Sequence, residues 1–264
     1  MSADGFVEKP NLPNNSVTLC ICSDRYTADA LNRLGIKTLG TVPSPFLLPE
    51  VSTHPDMQLC HTGGKTVVID SFQKGLSASL AENGFAVITD ASPERKYPGD
   101  IIYNAALCAD TAFGLTERLS EKLSAELTRR KTKTVRVNQG YAKCSVCIVE
   151  KRAIITDDPG ISAAAKRLGF DVLTVEKGDI FLSDSHYGFI GGCSGKISKD
   201  TIAFTGCLDS HRNCDQIRTF LKKHGCKPLE LTNGILKDVG SILPVKEEKE
   251  CIHWVLTSEE LNAR

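Results

Sequence analysis

Cys144 has the sequence setting most typical of a nucleophile in this chain. It directly follows Lys143 and precedes an apolar run, Val146 to Val149. A cation next to a cysteine favours the thiolate, which is the form of the side chain that attacks electrophiles. His186 and Asp238 lie in later segments, and we predict Cys144, His186 and Asp238 as the catalytic residues. The competing interpretation, which a total of eleven cysteines favours, is that Cys144 is a buried strand thiol that behaves as a small hydrophobic group.

Metal binding is the second chemistry that the residue types allow. Ligand-type side chains lie close together at His54, Asp56, Cys60 and His61. Cys144 and Cys147 form a Cys-x-x-Cys, but an offset of three puts two strand side chains on opposite faces. No second cluster has comparable spacing, and a turn cap beside a strand thiol explains the first cluster more simply. We therefore predict no metal and no cofactor.

The elements that must position these residues are indicated by a repeated motif, in which an apolar helix ends at a glycine and a strand follows at once. The motif occurs at Gly35, Gly84, Gly169 and Gly225. A glycine just past the last helical turn can adopt the left-handed conformation that ends a helix. Gly35 and Gly84 are 49 residues apart. Repeats at about this spacing predict a solenoid or a closed ring built from copies of one unit.

Two copies of the unit align almost residue for residue. Residues 144–148 match 193–197, and residues 153–156 match 202–205, all at an offset of 49. Each copy is predicted to be a strand, a polar turn, a second strand, a helix with an apolar stripe and a third strand, a ββαβ pattern. We place four such units at 57–90, 101–138, 141–175 and 188–232.

The fifth unit is predicted to be shared between the two ends of the chain. The C-terminal part supplies strands at 239–245 and 251–257, and the N-terminal part supplies a strand at 17–22, a helix at 24–34 and a strand at 37–41. Joining them closes a five-unit ring, which leaves no open sheet edge between the first and last units. We expect one α+β domain over residues 1–264, with the polar, proline-rich residues 1–15 as a flexible segment.

The composition limits the classes of partner. Lys+Arg and Asp+Glu balance at 32 each, so no excess of positive charge favours nucleic acid or an anionic membrane surface. The N-terminal residues lack the apolar core of a signal peptide, and no run approaches the roughly 18 apolar residues of a membrane span. An odd number of cysteines excludes their complete pairing within one chain and favours a reducing compartment. We expect a cytoplasmic protein that binds neither nucleic acid nor membrane; its oligomeric state is left open.

Five ββαβ units around an axis resemble the pentein, or guanidino-group-modifying enzyme, fold. The resemblance is carried most specifically by residues 137–145, 187–195 and 238–244, which look like an uncharacterised bacterial, mainly clostridial, branch of that fold. Members of the fold include arginine deiminase, dimethylarginine dimethylaminohydrolase, amidinotransferases and a non-enzymatic ribosome anti-association factor. Because one fold serves both enzymes and a binding protein, the fold alone does not choose among these functions.

The resemblance implies that the segments entering the first strand of each unit converge on a central channel. In this chain all five of these segments are polar or rich in glycine, which is the composition expected of a shared ligand pocket. We predict as substrate-binding residues His54, Asp56, Asn104, Gln139, Tyr141, Ser145, Gly191, Gly192, Cys193, Ser194 and Ser241.

The chain also departs from the enzymes that it resembles. Those enzymes have an essential cysteine near the C-terminus, where this chain has Gly240 and Ser241, and Cys251 falls on the next predicted strand. Their Glu-Gly-Gly-Asp motif corresponds here to residues 190–193, Ile-Gly-Gly-Cys, without either acid. A serine nucleophile needs its own base, and a guanidinium ion without carboxylates loses its charge-assisted partners. Standard deiminase chemistry is therefore not expected.

The sequence favours a small-molecule binding or modifying protein, with a guanidino or amidine compound as the first candidate and a hydrolase among the activities considered. The alternative is a non-enzymatic interaction protein of the same fold.

Overall fold

The computed structural model describes residues 4–183 and 187–249. Its strands are β1 Asp4–Phe6, β2 Val17–Ile21, β3 Lys37–Leu39, β4 Leu59–Gly63, β5 Thr66–Asp70, β6 Ala86–Asp90, β7 Ala106–Cys108, β8 Thr111–Gly114, β9 Lys133–Arg136, β10 Val146–Glu150, β11 Ala153–Thr156, β12 Asp171–Thr174, β13 Ser194–Ser198, β14 Thr201–Phe204, β15 Lys227–Glu230 and β16 Leu243–Glu248. Its α-helices are α1 Arg25–Arg33, α2 Lys74–Glu82, α3 Glu121–Arg129, α4 Pro159–Arg167 and α5 Cys214–Lys223.

Four small sheets repeat the predicted ββαβ pattern. In each, the first two strands form an antiparallel hairpin, the helix follows, and the third strand runs parallel to the second. In the third unit, for example, Val146 lies opposite Thr156 across the hairpin, and Ala153 lies opposite Asp171 in the parallel pair. The sheets are β4-β5-β6, β7-β8-β9, β10-β11-β12 and β13-β14-β15.

The fifth sheet joins the two ends of the chain, as the sequence predicts. Its order is β1-β16-β2-β3, with Leu243 of β16 opposite Ile21 of β2. β16 begins at Leu243 rather than at the predicted residue 239, because Gly240 and Ser241 have positive φ angles of +77° and +74°, which a strand cannot contain. The predicted strand at 251–257 lies outside the described residues.

The N-terminal residues add a strand that their composition does not predict. Residues 1–15 were expected to be a flexible segment, but β1 pairs with β16 in antiparallel register, Phe6 opposite Lys246. The Phe6 ring packs edge-on against Phe85, with 4.9 Å between the ring centroids. Val7 and Leu12 are also buried, and the Val7 amide donates to Val245 O, so a few apolar residues among polar ones hold the segment.

The ends of the helices follow the sequence signals. The side chains of Asp24 and Asp158 cap α1 and α4 by accepting hydrogen bonds from the Thr27 and Ile161 amides. The four glycines of the repeated motif all have positive φ, from +66° at Gly225 to +86° at Gly84. The helices therefore end where the repeat predicts.

The hydrophobic core is divided among the contacts between neighbouring units. Five clusters of buried apolar side chains each draw on two adjacent sheets, and together they link first to second, second to third, third to fourth, fourth to fifth, and fifth to first. A sixth cluster, formed by Leu47, Met57, Ile101 and Cys144, covers the axis itself. The units therefore form a closed ring whose first strands surround a common centre.

Candidate functional site

Five hydrogen bonds run in a circle around the axis and connect all five units. Each joins the segment before the first strand of one unit to the corresponding segment of the next. They run from Asn104 Nδ2 to Asp56 O (3.1 Å), from Lys143 N to Asn104 Oδ1 (2.7 Å), from Gly192 N to Cys144 O (2.9 Å), from Ser241 N to Gly192 O (2.8 Å) and from Asp56 N to Gly240 O (3.3 Å). The side chains on these segments are thereby held at one centre, which we call the axial cluster: His54, Asp56, Asn104, Lys143, Cys144, Asp238 and Ser241.

Ser241 lies at the middle of the axial cluster. Its Oγ accepts a hydrogen bond from Lys143 Nζ at 2.9 Å and donates to Asp56 Oδ2 at 2.6 Å, with Gly191 O also within 3.0 Å. A hydroxyl has one proton, and the charged carboxylate is the stronger acceptor. The three side chains therefore form an ammonium–hydroxyl–carboxylate chain across the axis, and all three are buried.

Cys144 is a protonated thiol in this environment. Its Sγ donates to Asp56 Oδ2 at 3.3 Å and accepts from Asn104 Nδ2 at 3.1 Å. Burial, reinforced by the nearby carboxylates of Asp56 and Asp238, raises its pKa well above the usual value. The Lys143 ammonium, which the sequence suggested as an activating neighbour, is directed to Ser241 instead.

Asp238 is held by backbone donors. Its Oδ2 accepts from the Phe189 amide at 2.9 Å and its Oδ1 from the Gly240 amide at 3.0 Å, while His54 Nδ1 lies 3.7 Å from Oδ1. Burial raises the pKa of Asp238, the His54 side chain opposes this, and Asp56 adds to it. Gly192 permits the close approach, because a Cβ at that position would lie 2.0 Å from Asp238 Oδ1.

Other predicted binding residues lie at the edge of the axial cluster or outside it. Tyr141 donates to Asp100 Oδ2 at 2.6 Å and stacks on Phe189, with 6.1 Å between ring centroids. Gln139 contacts the helix cap Asp158, and Ser194 donates to the local carbonyl of Ile190. Cys193 is a buried thiol whose pKa burial raises. Ser145 Oγ is buried without a hydrogen-bond partner among the described residues, and His186 lies outside those residues.

Lys143 is the member of the axial cluster that sequence reasoning missed as a site residue. The available signal was a lysine between Ala142 and Cys144 in a segment that leads into a buried strand, since lysine is rarely buried without a specific partner. Asp100 and Asp157 were also missed; both carboxyl groups are buried and each has one oxygen without a hydrogen-bond partner in the described part of the chain.

Among the described residues, a small cavity borders the axial cluster. A cavity of about 20 Å³, lined on one side by Asp56 and Lys143, has room for roughly one water molecule. In residues 4–183 and 187–249, no group of three or more His, Cys, Asp or Glu side chains is arranged to hold a metal ion. His61, one of the side chains weighed as a ligand, donates from Nε2 to Gly64 O. None of the described helices is long and apolar enough to cross a membrane.

A ring of five small mixed sheets around a polar axis is the architecture of the pentein class, and solved structures of that class match this chain. An inosamine-phosphate amidinotransferase from Streptomyces griseus has a TM-score of 0.54 and 11% identity, with 94% of this chain and 97% of that chain covered. A dimethylarginine dimethylaminohydrolase (DDAH) from Pseudomonas aeruginosa, complexed with citrulline, has a TM-score of 0.51 and 9% identity, with 89% and 100% covered. An agmatine deiminase from C. jejuni has a TM-score of 0.51 and 8% identity, with 88% and 92% covered.

The chain belongs to a family of unknown function, DUF6873, whose sequence model matches residues 22–243. None of the curated proteins has a sequence that matches it significantly. At identities near 10% the structural matches establish the fold and nothing about the substrate. The pentein fold expected from the sequence is therefore confirmed.

Proposed function

We propose that the axial cluster binds a small guanidino or amidine compound. The observation that carries this proposal is that two buried acids, Asp56 and Asp238, lie in the axial cluster, and that Asp56 keeps one oxygen without a hydrogen-bond partner among the described residues. Asp56 is 1% exposed, and its Oδ1 has no hydrogen-bond partner in the described part of the chain. A buried carboxylate with an unused oxygen is costly unless a donor, and preferably a cation, satisfies it.

The geometry of the acceptors favours a planar cation over a compact one. Guanidinium and amidinium groups present several N–H donors in one plane, which suits carboxylates approached from two sides. Asp56 and Asp238 come from the first and fifth units and lie near enough for Asp56 to raise the pKa of Asp238. A planar cation between them would use acceptors that a single ammonium leaves free.

The choice among cations also draws on the fold. Amidinotransferase and agmatine deiminase are the names of solved structures with this fold, and both names specify amidino or guanidino substrates. We extend only the ligand class to this chain. Thiolate attack is not part of the proposal, because Cys144 is a protonated thiol donating to Asp56.

The binding assay is a thermal-shift and calorimetric screen. Guanidine, methylguanidine, agmatine, arginine and acetamidine form the test set, with urea and citrulline as neutral counterparts of similar shape. A ligand at a hundred times its dissociation constant stabilises the native state by about 2.7 kcal/mol, which is a visible shift. Only the cations should give a saturable shift, and Asp56→Asn and Asp238→Asn should each abolish it.

Asp70→Asn is the matched control. Asp70 is equally buried, but it caps a turn through the Phe72 amide and Ser92, away from the axial cluster. This variant should lose stability yet keep the ligand shift. If neutral compounds bind as well as cations, or if Asp70→Asn removes binding as completely as Asp56→Asn, the proposal is wrong.

A non-enzymatic interaction protein of the same fold is the second candidate, and the tight closure of the axis favours it. The cavity of about 20 Å³ holds no small molecule larger than water in this conformation. If none of the cations gives a saturable shift although the wild type and all variants are folded, the result supports this second function.

A further inference from the structure

The Lys143 ammonium is an incompletely satisfied donor inside the ring. The residue is 7% exposed, and its Nζ makes one hydrogen bond among the described residues, to Ser241 Oγ. An ammonium group has three N–H donors. Lys143 lines the same small cavity as Asp56, whose Oδ1 also has no partner there. An unsatisfied cation and an unsatisfied carboxylate therefore share one pocket.

The other deeply buried lysine of the described chain has a different environment. Lys196 Nζ donates to Val149 O at 2.7 Å and to Glu150 Oε1 at 2.9 Å, and it lies 3.6 Å from Cys226 Sγ. All three of its donors are directed at acceptors in the protein. Lys196 thus has the contacts of a permanent structural lysine, and Lys143 does not.

The attachment of Lys143 allows its side chain to be replaced without dismantling the ring. Its backbone N–H donates to Asn104 Oδ1, so the main chain belongs to the circle of hydrogen bonds around the axis. The side chain, by contrast, reaches from the third unit to Ser241 of the fifth and is fixed by a single contact at its tip. Withdrawal of the ammonium would break that one contact and would leave the circle of five hydrogen bonds intact, because none of them uses the Lys143 side chain.

We propose that the Lys143 ammonium fills a cation site within the axial cluster, and that a free guanidinium or primary ammonium group binds in the place of its Nζ. Because Lys143 is covalently part of the chain, we call it the tethered occupant of this site. This inference rests on the proposed function, because it names the group that the ligand displaces. The incoming cation takes over the hydrogen bond to Ser241 Oγ, whose own proton is donated to Asp56 Oδ2. A planar guanidinium also reaches Asp56 Oδ1, which the lysine leaves free.

The proposal predicts chemical rescue. Lys143→Ala removes the tethered ammonium and most of its stem, and the variant should melt at a lower temperature than the wild type. Propylammonium and methylguanidinium should restore the melting temperature in a saturable manner, while propanol, of similar size but uncharged, should not. Wild type should bind the same two cations at least roughly tenfold more weakly than Lys143→Ala, because its site is already occupied.

Three control variants separate cation binding from cavity filling. Lys143→Met fills the space without a charge and should show no rescue. Lys143→Ala combined with Asp56→Asn should lose the rescue, since the carboxylate is gone. Lys196→Ala, the matched buried lysine, should not be rescued in a manner that depends on Asp56. If Lys143→Ala does not fold, Lys143→Ser and refolding yields with and without methylguanidinium carry the same comparison.

The outcomes distinguish this inference from the proposed function. Rescue that depends on Asp56 supports the tethered occupant even if the wild type binds no guanidino compound, in which case the proposed function fails alone. The opposite result is that the wild type binds a guanidino compound while Lys143→Ala and Lys143→Ser show neither rescue nor a gain in affinity. That result would overturn the tethered occupant and leave the proposed function standing.

Discussion

Burial raises the pKa values of individual side chains in this protein, both thiols and carboxylic acids. Cys144 sits beside a lysine and is still a thiol, because desolvation and two carboxylates outweigh one cation that is directed elsewhere. Asp157, which directly follows β11, shows the same effect of burial on a carboxylic acid. Its carboxyl group is 4% exposed, its Oδ1 has no partner in the described part of the chain, and burial raises its pKa to about 7.

Asp157→Asn should change how stability depends on pH. The folded-state pKa of about 7 lies above the ordinary 3.8, so the folded protein binds this proton more tightly than the unfolded chain. The contribution of Asp157 to the stability of the wild type therefore falls as pH rises from about 4 to about 7 and does not change further at higher pH. The asparagine variant lacks this loss. The free energy of unfolding of the variant minus that of the wild type should therefore be up to roughly 4 kcal/mol more favourable at pH 8 than at pH 4. Urea unfolding at several pH values measures this; parallel curves for the two proteins would contradict it.

Thiol reactivity should follow exposure. Of the ten cysteines that the structure describes, Cys207 and Cys214 are partly exposed and the rest are buried. Iodoacetamide at pH 8 should label those two first, and Cys144 and Cys193 should label slowly because their raised pKa values remove the thiolate. Peptide mass spectrometry over time gives the order. Labelling of native Cys144 as fast as Cys214 would show a reactive thiolate at the axis.

The sequence locates the axial side chains better than it assigns their roles. Polar residues directly before apolar strands pointed to Asp56, Asn104 and Ser241, which do meet at the axis. Lys143 was interpreted as a neighbour of Cys144 because adjacency is visible in a sequence. The direction of its side chain, which reaches a residue 98 positions away, is a property of the ring.

At the scale of the element, the segment before β16 determines the geometry of the site. Residues 239–245 were predicted to be a strand, because valine, isoleucine and leucine favour that structure. The positive φ angles of Gly240 and Ser241 instead make a turn that brings Ser241 Oγ to Asp56. Strand propensity cannot reveal such a turn when a serine, which rarely adopts positive φ, occupies part of it.

Gly240→Ala should be far more damaging than Gly225→Ala. Both glycines have positive φ, +77° and +66°, so each substitution carries the conformational cost of about 1–2 kcal/mol. A Cβ at Gly240 would also lie 2.4 Å from the His54 Cβ, whereas nothing lies within 4 Å at Gly225. The loss at Gly240 should reach about 3 kcal/mol or more. Equal losses for the two variants in denaturant unfolding would mean that the contact with His54 relaxes freely.

At the scale of the whole molecule, stability resides in the contacts between units. Each of the five buried clusters is shared by two neighbours, so no described unit has a core of its own. The offset of 49 between copies predicts the repeat and the joined termini. It could not predict β1, whose segment is held by a few apolar residues, Phe6 and Val7 among them, in a polar stretch.

Val245→Ala should lower the stability of the entire ring. Val245 is fully buried in β16, within the cluster that joins the fifth unit to the first. Removing two methyl groups there should cost about 2 kcal/mol. Amide exchange should report the same loss at Ile155 and Phe204, in distant sheets, as at Leu19 in β2. Loss of protection confined to the fifth sheet would show that the units unfold independently.

The circle of five hydrogen bonds also sets an order in time. Asp56 precedes its partners Cys144 and Ser241 in the chain, so the centre of the ring is completed only after residue 241 has been synthesised. A chain that stops before residue 241 therefore lacks the complete axial cluster, and the ligand binding proposed for that cluster requires the fifth unit.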